Sequence, residues 1–376
     1  MASRTQMLKE CGQSLWLDNI QRKEVHDGTI KMLIDKDGVC GITSNPTIFM
    51  KAVSKSTDYD EQIKKLAREG KTASAIYHRI TIDDIRDAGQ LLLPVFEKTG
   101  GEDGFVSIEL NPQHAFDAEK SIAEARGILS EIGLPNIMVK VPGTAQGAVA
   151  VRELIAQGLN VNITLLFSPM HYRRVALAYI EGLEARDKQG HDLSVVHSVA
   201  SFFLSRIDTR VDKKIDALFS KEPADKLRAL LPGLRGQTAI AVAKVTYAIF
   251  KELFFSARFT KLEQKGAHIQ RPLWASTSTK DPQYRDVKYV EALIGRHTIN
   301  TLPPETISAF RDHGVAKPTI EDGIEGAPEL LKKIEEPGIS LEKIYQELQD
   351  EGVKAFETSY LDLLKSIEEK AQALRG

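Results

Sequence analysis

Short apolar runs alternate with longer amphipathic segments along most of the chain. Eight such runs recur, and they span residues 14–19, 41–45, 104–110, 136–141, 160–166, 194–203, 271–277 and 297–302. Most of them are apolar or β-branched with little polar alternation, a pattern that is typical of strands buried on both faces. We therefore predict eight buried strands.

The segments between these runs have helical spacing. Residues 118–132 and 146–157, for example, carry apolar side chains at intervals of three and four and charged side chains elsewhere. Alternating strands and helices predict parallel βαβ units. Eight units favour a closed barrel over an open sheet, so the predicted fold class is α/β, a (β/α)8 TIM barrel.

The chain is longer than eight minimal units require. We expect one barrel domain over residues 1–376, with additional helical insertions at about 59–97 and 208–266 and a C-terminal helical region at 305–376. The 208–266 segment has room for two or three helices. We interpret it as extra helical packing.

Composition narrows the class of protein. Hydrophobic residues make up 42% and charged residues 27%, and the formal net charge is −2, which is ordinary for a soluble protein and argues against nucleic acid or membrane as the main partner. Cys11 and Cys40 cannot build a disulfide framework, and no signal peptide or membrane-length apolar run occurs. We expect a cytoplasmic protein. Without a CxxC, HExxH or glycine-rich nucleotide motif, we expect no metal and no cofactor.

Polar residues mark the ends of several predicted strands, where barrel enzymes place their active sites. Lys140 is the most informative, because it lies within the apolar sequence NIMVKVP and should point into the barrel. Burial disfavours the ammonium form, and a neutral amine attacks a ketone to form an imine. The alternative is a lysine that pairs with a carboxylate for structural reasons, and the local sequence favours neither.

Two predicted inward carboxylates, Asp18 and Glu109, are candidates for the proton transfers of imine chemistry. Each could instead neutralise Lys140 or cap a loop. Thr164 could hold a water against Glu109, although a strand threonine often reflects β propensity alone.

A basic pair further along the chain predicts a phosphate site. Arg206 offers a guanidinium fork and Lys280 an ammonium group, while Ser201 and Ser276 could add hydroxyl contacts. The alternative for Arg206 is a place in a solvated helix face.

Taken together, the motifs resemble the transaldolase family. They are SLWLDNIQR, GITSNPTIF, FVSIELNP, PNIMVKVPGT, GLNVNITLLFSP, SVASFFLSRID and RPLWASTSTKDP, in that order, and EGVKAFETSYLDLL near the end. The last of these resembles the family's C-terminal helix, which folds back over the barrel. The resemblance implies transfer of a dihydroxyacetone unit between sugar phosphates in the non-oxidative pentose phosphate pathway, by a monomer or a homodimer.

The resemblance also implies catalytic roles by matched position. Lys140 matches the Schiff-base lysine, and Asp18 matches the carboxylate that handles the C4 hydroxyl proton. Glu109 and Thr164 match the pair that holds the catalytic water.

Binding roles follow in the same way. Asn45 and Asn162 match residues that bind the dihydroxyacetone unit, and Ser201 matches a hydroxyl contact in the same pocket. Arg206 and Ser276 match phosphate-binding residues.

Two positions refine this comparison. Shorter family members have a second arginine where this chain has Ser278, and Lys280 is the expected replacement for its charge.

Phe203 resembles the transaldolase residue, whereas fructose 6-phosphate aldolases tend to have a tyrosine whose hydroxyl would help to release dihydroxyacetone. Phe203 thus favours a transferase over the lyase alternative. The presence of Lys140, Asp18 and Glu109 argues against a barrel that binds sugar phosphates without catalysis.

Overall fold

Eight parallel strands close into a barrel in sequence order, with β8 paired to β1. The computed structural model describes residues 3–221 and 225–375. The strands are β1 Gln13–Leu17, β2 Val39–Thr43, β3 Phe105–Glu109, β4 Ile137–Pro142, β5 Val161–Leu166, β6 Ser198–Phe203, β7 Arg271–Ala275 and β8 Thr298–Leu302. All eight predicted runs therefore overlap a strand, and the predicted TIM barrel is confirmed.

Helices surround the barrel and fill the longer connections. They are α1 Arg4–Glu10, α2 Arg22–His26, α3 Thr29–Asp37, α4 Pro46–Lys55, α5 Asp60–Arg68, α6 Ala73–Lys98, α7 Ala118–Ile132, α8 Ala145–Ala156, α9 Pro169–Lys188, α10 Ser205–Phe219, α11 Asp225–Leu230, α12 Thr238–Phe254, α13 Ala257–Glu263, α14 Lys288–Ala292, α15 Pro304–His313, α16 Ala327–Glu335 and α17 Leu341–Arg375. Short 3-10 helices lie at Pro112–His114, Leu231–Leu234 and Ile324–Gly326. None of the helices in the described residues is long and apolar enough to span a membrane.

The 208–266 segment contains more elements than its hydrophobic spacing predicts. Within its described residues the structure has most of α10, followed by α11, α12 and α13. The sequence LPGL at Leu231–Leu234 forms a 3-10 turn between α11 and α12, because proline and glycine interrupt a regular helix. The segment therefore has four α-helices in place of the expected two or three.

One close contact inside the barrel requires a glycine on β2. The indole of Trp16 on β1 lies directly against the backbone of Gly41 on β2, where an added Cβ would be 2.4 Å from the ring. Only glycine leaves room for a fully buried tryptophan at this level.

A buried polar cluster closes the amino-terminal end of the barrel. The Arg271 guanidinium pairs with Asp103 at 2.9 Å and also donates to the Ser14 hydroxyl at 2.9 Å. Asp103 accepts two further hydrogen bonds, from Ser14 at 2.8 Å and from the Trp16 indole at 3.2 Å. Buried charges of this kind persist only when they are paired and hydrogen-bonded.

Helix α17 lies across the opposite, carboxyl-terminal end of the strands. It packs against α4, α5 and α6, and its Phe356 ring lies 5.9 Å from the ammonium nitrogen of Lys140. The expected C-terminal helix over the barrel is therefore confirmed, and it covers the end at which barrel enzymes bind their ligands.

Candidate active site

Lys140 on β4 points into the barrel, as its apolar neighbours predict, and only 4% of its surface is exposed. Its Nζ donates to the Ser44 carbonyl at 3.0 Å and lies 3.1 Å from Glu109 Oε2 on the adjacent strand β3. Glu109 and Lys140 are cross-strand partners in the β3–β4 pairing, so the barrel register brings the two side chains together. A structural ion pair would make the same contact, so the space above Nζ is the distinguishing feature.

That space is a cavity of about 310 Å³ at the carboxyl ends of the strands. Lys140 lines it together with seven of the other predicted site residues, which are Asp18, Asn45, Ser201, Phe203, Arg206, Ser276 and Lys280. A ketone in this cavity would therefore meet the Lys140 amine, the Asp18 carboxyl group and the basic side chains of Arg206 and Lys280.

Asp18 follows β1 and accepts a hydrogen bond from Thr43, which in turn is bonded to Thr301. The Thr43 hydroxyl donates to Asp18 Oδ1 at 2.7 Å, and it lies 2.7 Å from the Thr301 hydroxyl. Because the Thr43 proton is directed at Asp18, Thr301 is the donor in the second bond. Burial raises the pKa of Asp18, while Lys140 and the Thr43 hydrogen bond act in the opposite direction.

Glu109 lies below the cavity beside Lys140. Burial raises the pKa of its carboxyl group, and the neighbouring Lys140 cation lowers it. Carboxyl groups that retain a proton to higher pH than usual are suited to general acid–base catalysis near neutrality.

Two further predicted residues meet through a chain of hydrogen bonds. Ser201 on β6 donates to Asn162 Oδ1 on β5 at 2.7 Å, and Asn162 Nδ2 donates to the Ser107 hydroxyl on β3 at 3.0 Å. Asn162 thus lies behind Ser201 and sets the direction of the Ser201 hydroxyl. Asn45, the N-cap of α4, accepts from the Ile48 amide at 3.0 Å through its side-chain oxygen.

Three predicted residues, Thr164, Glu109 and Asn162, do not line the cavity. The Thr164 hydroxyl is fully buried and has no hydrogen-bond partner among the described residues. Buried polar groups are normally satisfied by protein or by ordered water. A free hydroxyl on the face of β5 that also carries Asn162 is the kind of group that binds a water.

The basic end of the cavity contains Arg206 and Lys280. The Arg206 guanidinium lies 5.5 Å from the Phe203 ring, and no described residue forms an ion pair or hydrogen bond with it. Lys280 Nζ donates to the Ser278 hydroxyl at 2.8 Å. The lysine and the serine at the position of the family's second arginine therefore lie on the same cavity wall.

Ser276 ends β7 in an unusual backbone conformation. Its φ of 54° lies in the left-handed region, which is costly for a residue other than glycine. Its carbonyl accepts from the Ser205 amide at 3.0 Å, and the two hydroxyls are 2.9 Å apart. These bonds hold the start of the β7–α14 loop, which carries Ser278 and Lys280, against the start of α10.

Several cavity residues escaped the prediction. Lys51 on α4, Glu305 at the start of α15 and Phe356 on α17 all line the cavity. Phe356 stands in the EGVKAF motif and was recognisable by its position there. Lys51 and Glu305 carry no local signal, because only the fold brings these helices to the cavity.

Comparison with known proteins agrees with this arrangement. The family model for transaldolase/fructose-6-phosphate aldolase matches residues 15–367, and the chain belongs to this family. It is 45% identical over 370 residues to a protein named Transaldolase 2 from Nostoc sp. (strain PCC 7120), with 98% of this chain and 97% of that protein covered. It is 42% identical over 374 residues to a transaldolase from Thermobifida fusca, with 99% and 100% covered.

Proposed function

We propose that this chain is a transaldolase of the non-oxidative pentose phosphate pathway, acting in the cytoplasm. It would transfer a dihydroxyacetone unit from sedoheptulose 7-phosphate or fructose 6-phosphate to glyceraldehyde 3-phosphate or erythrose 4-phosphate. Family membership and the names of the relatives support the reaction class. The observation that carries the proposal is the buried Lys140 amine, which borders a cavity that is also lined by the Asp18 carboxyl group and by the basic side chains of Arg206 and Lys280.

The first step is imine formation. Lys140 first gives a proton to Glu109, the resulting amine adds to the ketone carbon, and the carbinolamine then loses its hydroxyl group as water to give an iminium. Glu109, whose oxygen is 3.1 Å from Nζ, is the group within reach to protonate the departing hydroxyl. Thr164 holds the water that is released here and consumed again when the product is hydrolysed.

Carbon–carbon cleavage follows from the positive nitrogen. Asp18 removes the proton of the C4 hydroxyl, the C3–C4 bond breaks, and its electron pair moves to the iminium to form an enamine. The shortened aldose phosphate leaves. An acceptor aldehyde then enters, C3 of the enamine attacks its carbonyl carbon, and Asp18 returns the proton to the new hydroxyl. Water finally releases the extended ketose from Lys140.

The basic end of the cavity binds the phosphate. Arg206 offers parallel N–H donors and Lys280 a second charge, while Ser276 and Ser278 contribute hydroxyls. Because donor and acceptor both carry a phosphate at the end remote from the reacting carbon, one such site serves both half-reactions.

The alternative reaction is simple cleavage with release of dihydroxyacetone. Phe203 lines the cavity without a hydroxyl that could protonate the enamine, which favours waiting for an aldehyde acceptor. The product aldose should therefore form quickly from fructose 6-phosphate only when an acceptor such as erythrose 4-phosphate is supplied. Turnover of the same speed without any acceptor would identify the protein as a lyase.

The decisive experiment traps the imine. The protein is incubated with fructose 6-phosphate, reduced with borohydride, and the modified residue is located by peptide mass. We expect the adduct on Lys140 and no adduct in Lys140→Ala. Lys51→Ala is the control, because it removes another lysine that lines the cavity, on helix α4, and its adduct should be unchanged. An unmodified Lys140 in the wild-type protein would exclude the mechanism.

A further inference from the structure

Gln349 anchors the C-terminal helix α17 to the ends of two barrel strands. Only 3% of its surface is exposed, and its Nε2 donates to the Gly143 carbonyl at 3.1 Å and to the Leu165 carbonyl at 3.0 Å. Gly143 directly follows β4, three residues after Lys140, and Leu165 is the residue after Thr164. One amide therefore joins the strand that carries the proposed nucleophile to the strand that carries the proposed water-binding hydroxyl.

The Leu165 carbonyl belongs to an irregular part of β5. Leu165 has a φ of 59°, in the left-handed region that residues other than glycine rarely adopt. The pairing of β5 with β6 changes register between Ile163 and Leu166. Thr164 and Leu165 thus form a bulge, and bulges redirect neighbouring side chains near active sites. A strained conformation of this kind persists only where surrounding contacts hold it.

The contacts around this bulge come from two directions. From the end of the adjacent strand β4, the Gly143 amide donates to the Thr164 carbonyl at 2.7 Å. From above, α17 approaches so closely that a Cβ on Gly352 would be 2.9 Å from the Leu165 side chain. Gln349, Gly352 and Phe356 are spaced three and four residues apart, so they share the helix face that meets the barrel.

We propose that Gln349 is a positioning residue for the imine chemistry. By bonding the Leu165 carbonyl it holds the bulge that directs the Thr164 hydroxyl toward the water shared with Glu109, and by bonding the Gly143 carbonyl it fixes the end of β4 beyond Lys140. This inference rests on the proposed function, because it assigns Gln349 to the steps in which water leaves and re-enters.

A positioning role and a purely structural role of Gln349 predict different kinetics. If Gln349 only attached α17, its loss would lower stability and loosen the cavity as a whole, including the site for the sugar. If it acts through Thr164, its loss should slow imine formation and hydrolysis and leave substrate affinity nearly unchanged. Small displacements of a reacting group cost up to about a hundredfold in rate, so a loss of about ten- to a hundredfold is expected.

The test uses the full chain with Gln349→Met, which keeps the length of the side chain and removes both donors. Gln349→Glu, which has the same shape, serves as the second variant if the methionine protein does not fold. Gln346→Met is the matched control, because Gln346 lies on the exposed side of the same helix and its side chain bonds Asp350, at 2.8 Å, and no other described residue. Rates of imine formation come from rapid mixing with fructose 6-phosphate, borohydride quenching and intact-protein mass.

A double-mutant cycle with Thr164→Ala then gives the coupling. We expect Gln349→Met to slow imine formation at least tenfold with an unchanged KM, and to have little further effect when Thr164 is already alanine. A wild-type rate in the folded variant, losses that multiply in the double mutant, or failure of both Gln349 variants to fold would each overturn the positioning role. Absence of any adduct on wild-type Lys140 would overturn the proposed function itself, and the inference with it.

Discussion

Replacing Glu109 with glutamine tests whether this carboxyl group moves protons or only neutralises Lys140. The substitution keeps the size of the side chain and an oxygen that can accept from Lys140 Nζ, but it removes the exchangeable acid. The two groups are 3.1 Å apart and both almost fully buried, so the Glu109 carboxyl group is the acid placed to exchange a proton with the Lys140 amine. We therefore expect imine formation and hydrolysis to become slow while the barrel remains folded.

The size of the effect follows from the geometry. A carboxyl group within hydrogen-bond reach of the reacting atoms contributes about 10²- to 10⁴-fold as a general acid–base catalyst. At about 1.36 kcal/mol for each factor of ten, this loss corresponds to about 2.7–5.4 kcal/mol of transition-state stabilisation. The substitution leaves Asp18 and its hydrogen bond from Thr43 unchanged, so the cleavage step of any imine that does form should proceed normally.

The assay is a single turnover with excess enzyme over fructose 6-phosphate. The imine is trapped with borohydride at a series of times, and the aldose phosphate product is measured in parallel. Because burial raises the pKa of Glu109, the wild-type rate of imine formation should fall as the pH rises through that pKa, and this fall should disappear in Glu109→Gln. Wild-type rates of trapping in a variant with an unchanged melting temperature would refute the proton-transfer role.

Three other substitutions test separate parts of the molecule. Arg206→Ala should raise the KM for fructose 6-phosphate about 10- to 100-fold, the effect of losing a charged hydrogen bond of about 1.5–3 kcal/mol, and should hardly affect the use of unphosphorylated fructose; equal losses for both sugars would contradict a phosphate site. Phe203→Tyr should increase release of dihydroxyacetone without an acceptor, and an unchanged ratio of cleavage to transfer would speak against the role of this position. Asp103→Ala should lower the free energy of unfolding, measured in urea, by about 3–5 kcal/mol, because it leaves the Arg271 charge buried and unpaired. A free energy of unfolding within about 1 kcal/mol of the wild-type value would show that the cluster relaxes around the lost carboxylate.

The strands of this barrel were predictable because their signal is local. A strand buried on both faces needs only a short apolar run, and each of the eight runs overlaps one. The largest deviation is the run at 194–203, where β6 begins only at Ser198. The Val196 amide bonds the Leu193 carbonyl at 3.2 Å, and the His197 ring stacks on His268, so this apolar stretch turns before it enters the barrel.

Part of the site was predictable for the same reason. A lysine among apolar strand residues must be buried, and barrel architecture places strand ends at one mouth, so Lys140, Asp18 and Arg206 could be expected near one another. The chemical partners of these residues were not readable. Whether Glu109 or Asp18 pairs with Lys140 depends on the barrel register, which sets Glu109 opposite Lys140 on the adjacent strand.

The sequence by itself thus determined which segments are strands, which side chains are buried, and where chemistry is concentrated. Only the tertiary structure decided that Gln349 reaches the ends of β4 and β5, that Lys51 and Glu305 enter the cavity, and that Thr43 fixes Asp18. The physical reason is distance along the chain. Periodicity reports the environment of each residue over a few neighbours, whereas these contacts join residues that only the closure of the barrel and the packing of α17 bring together.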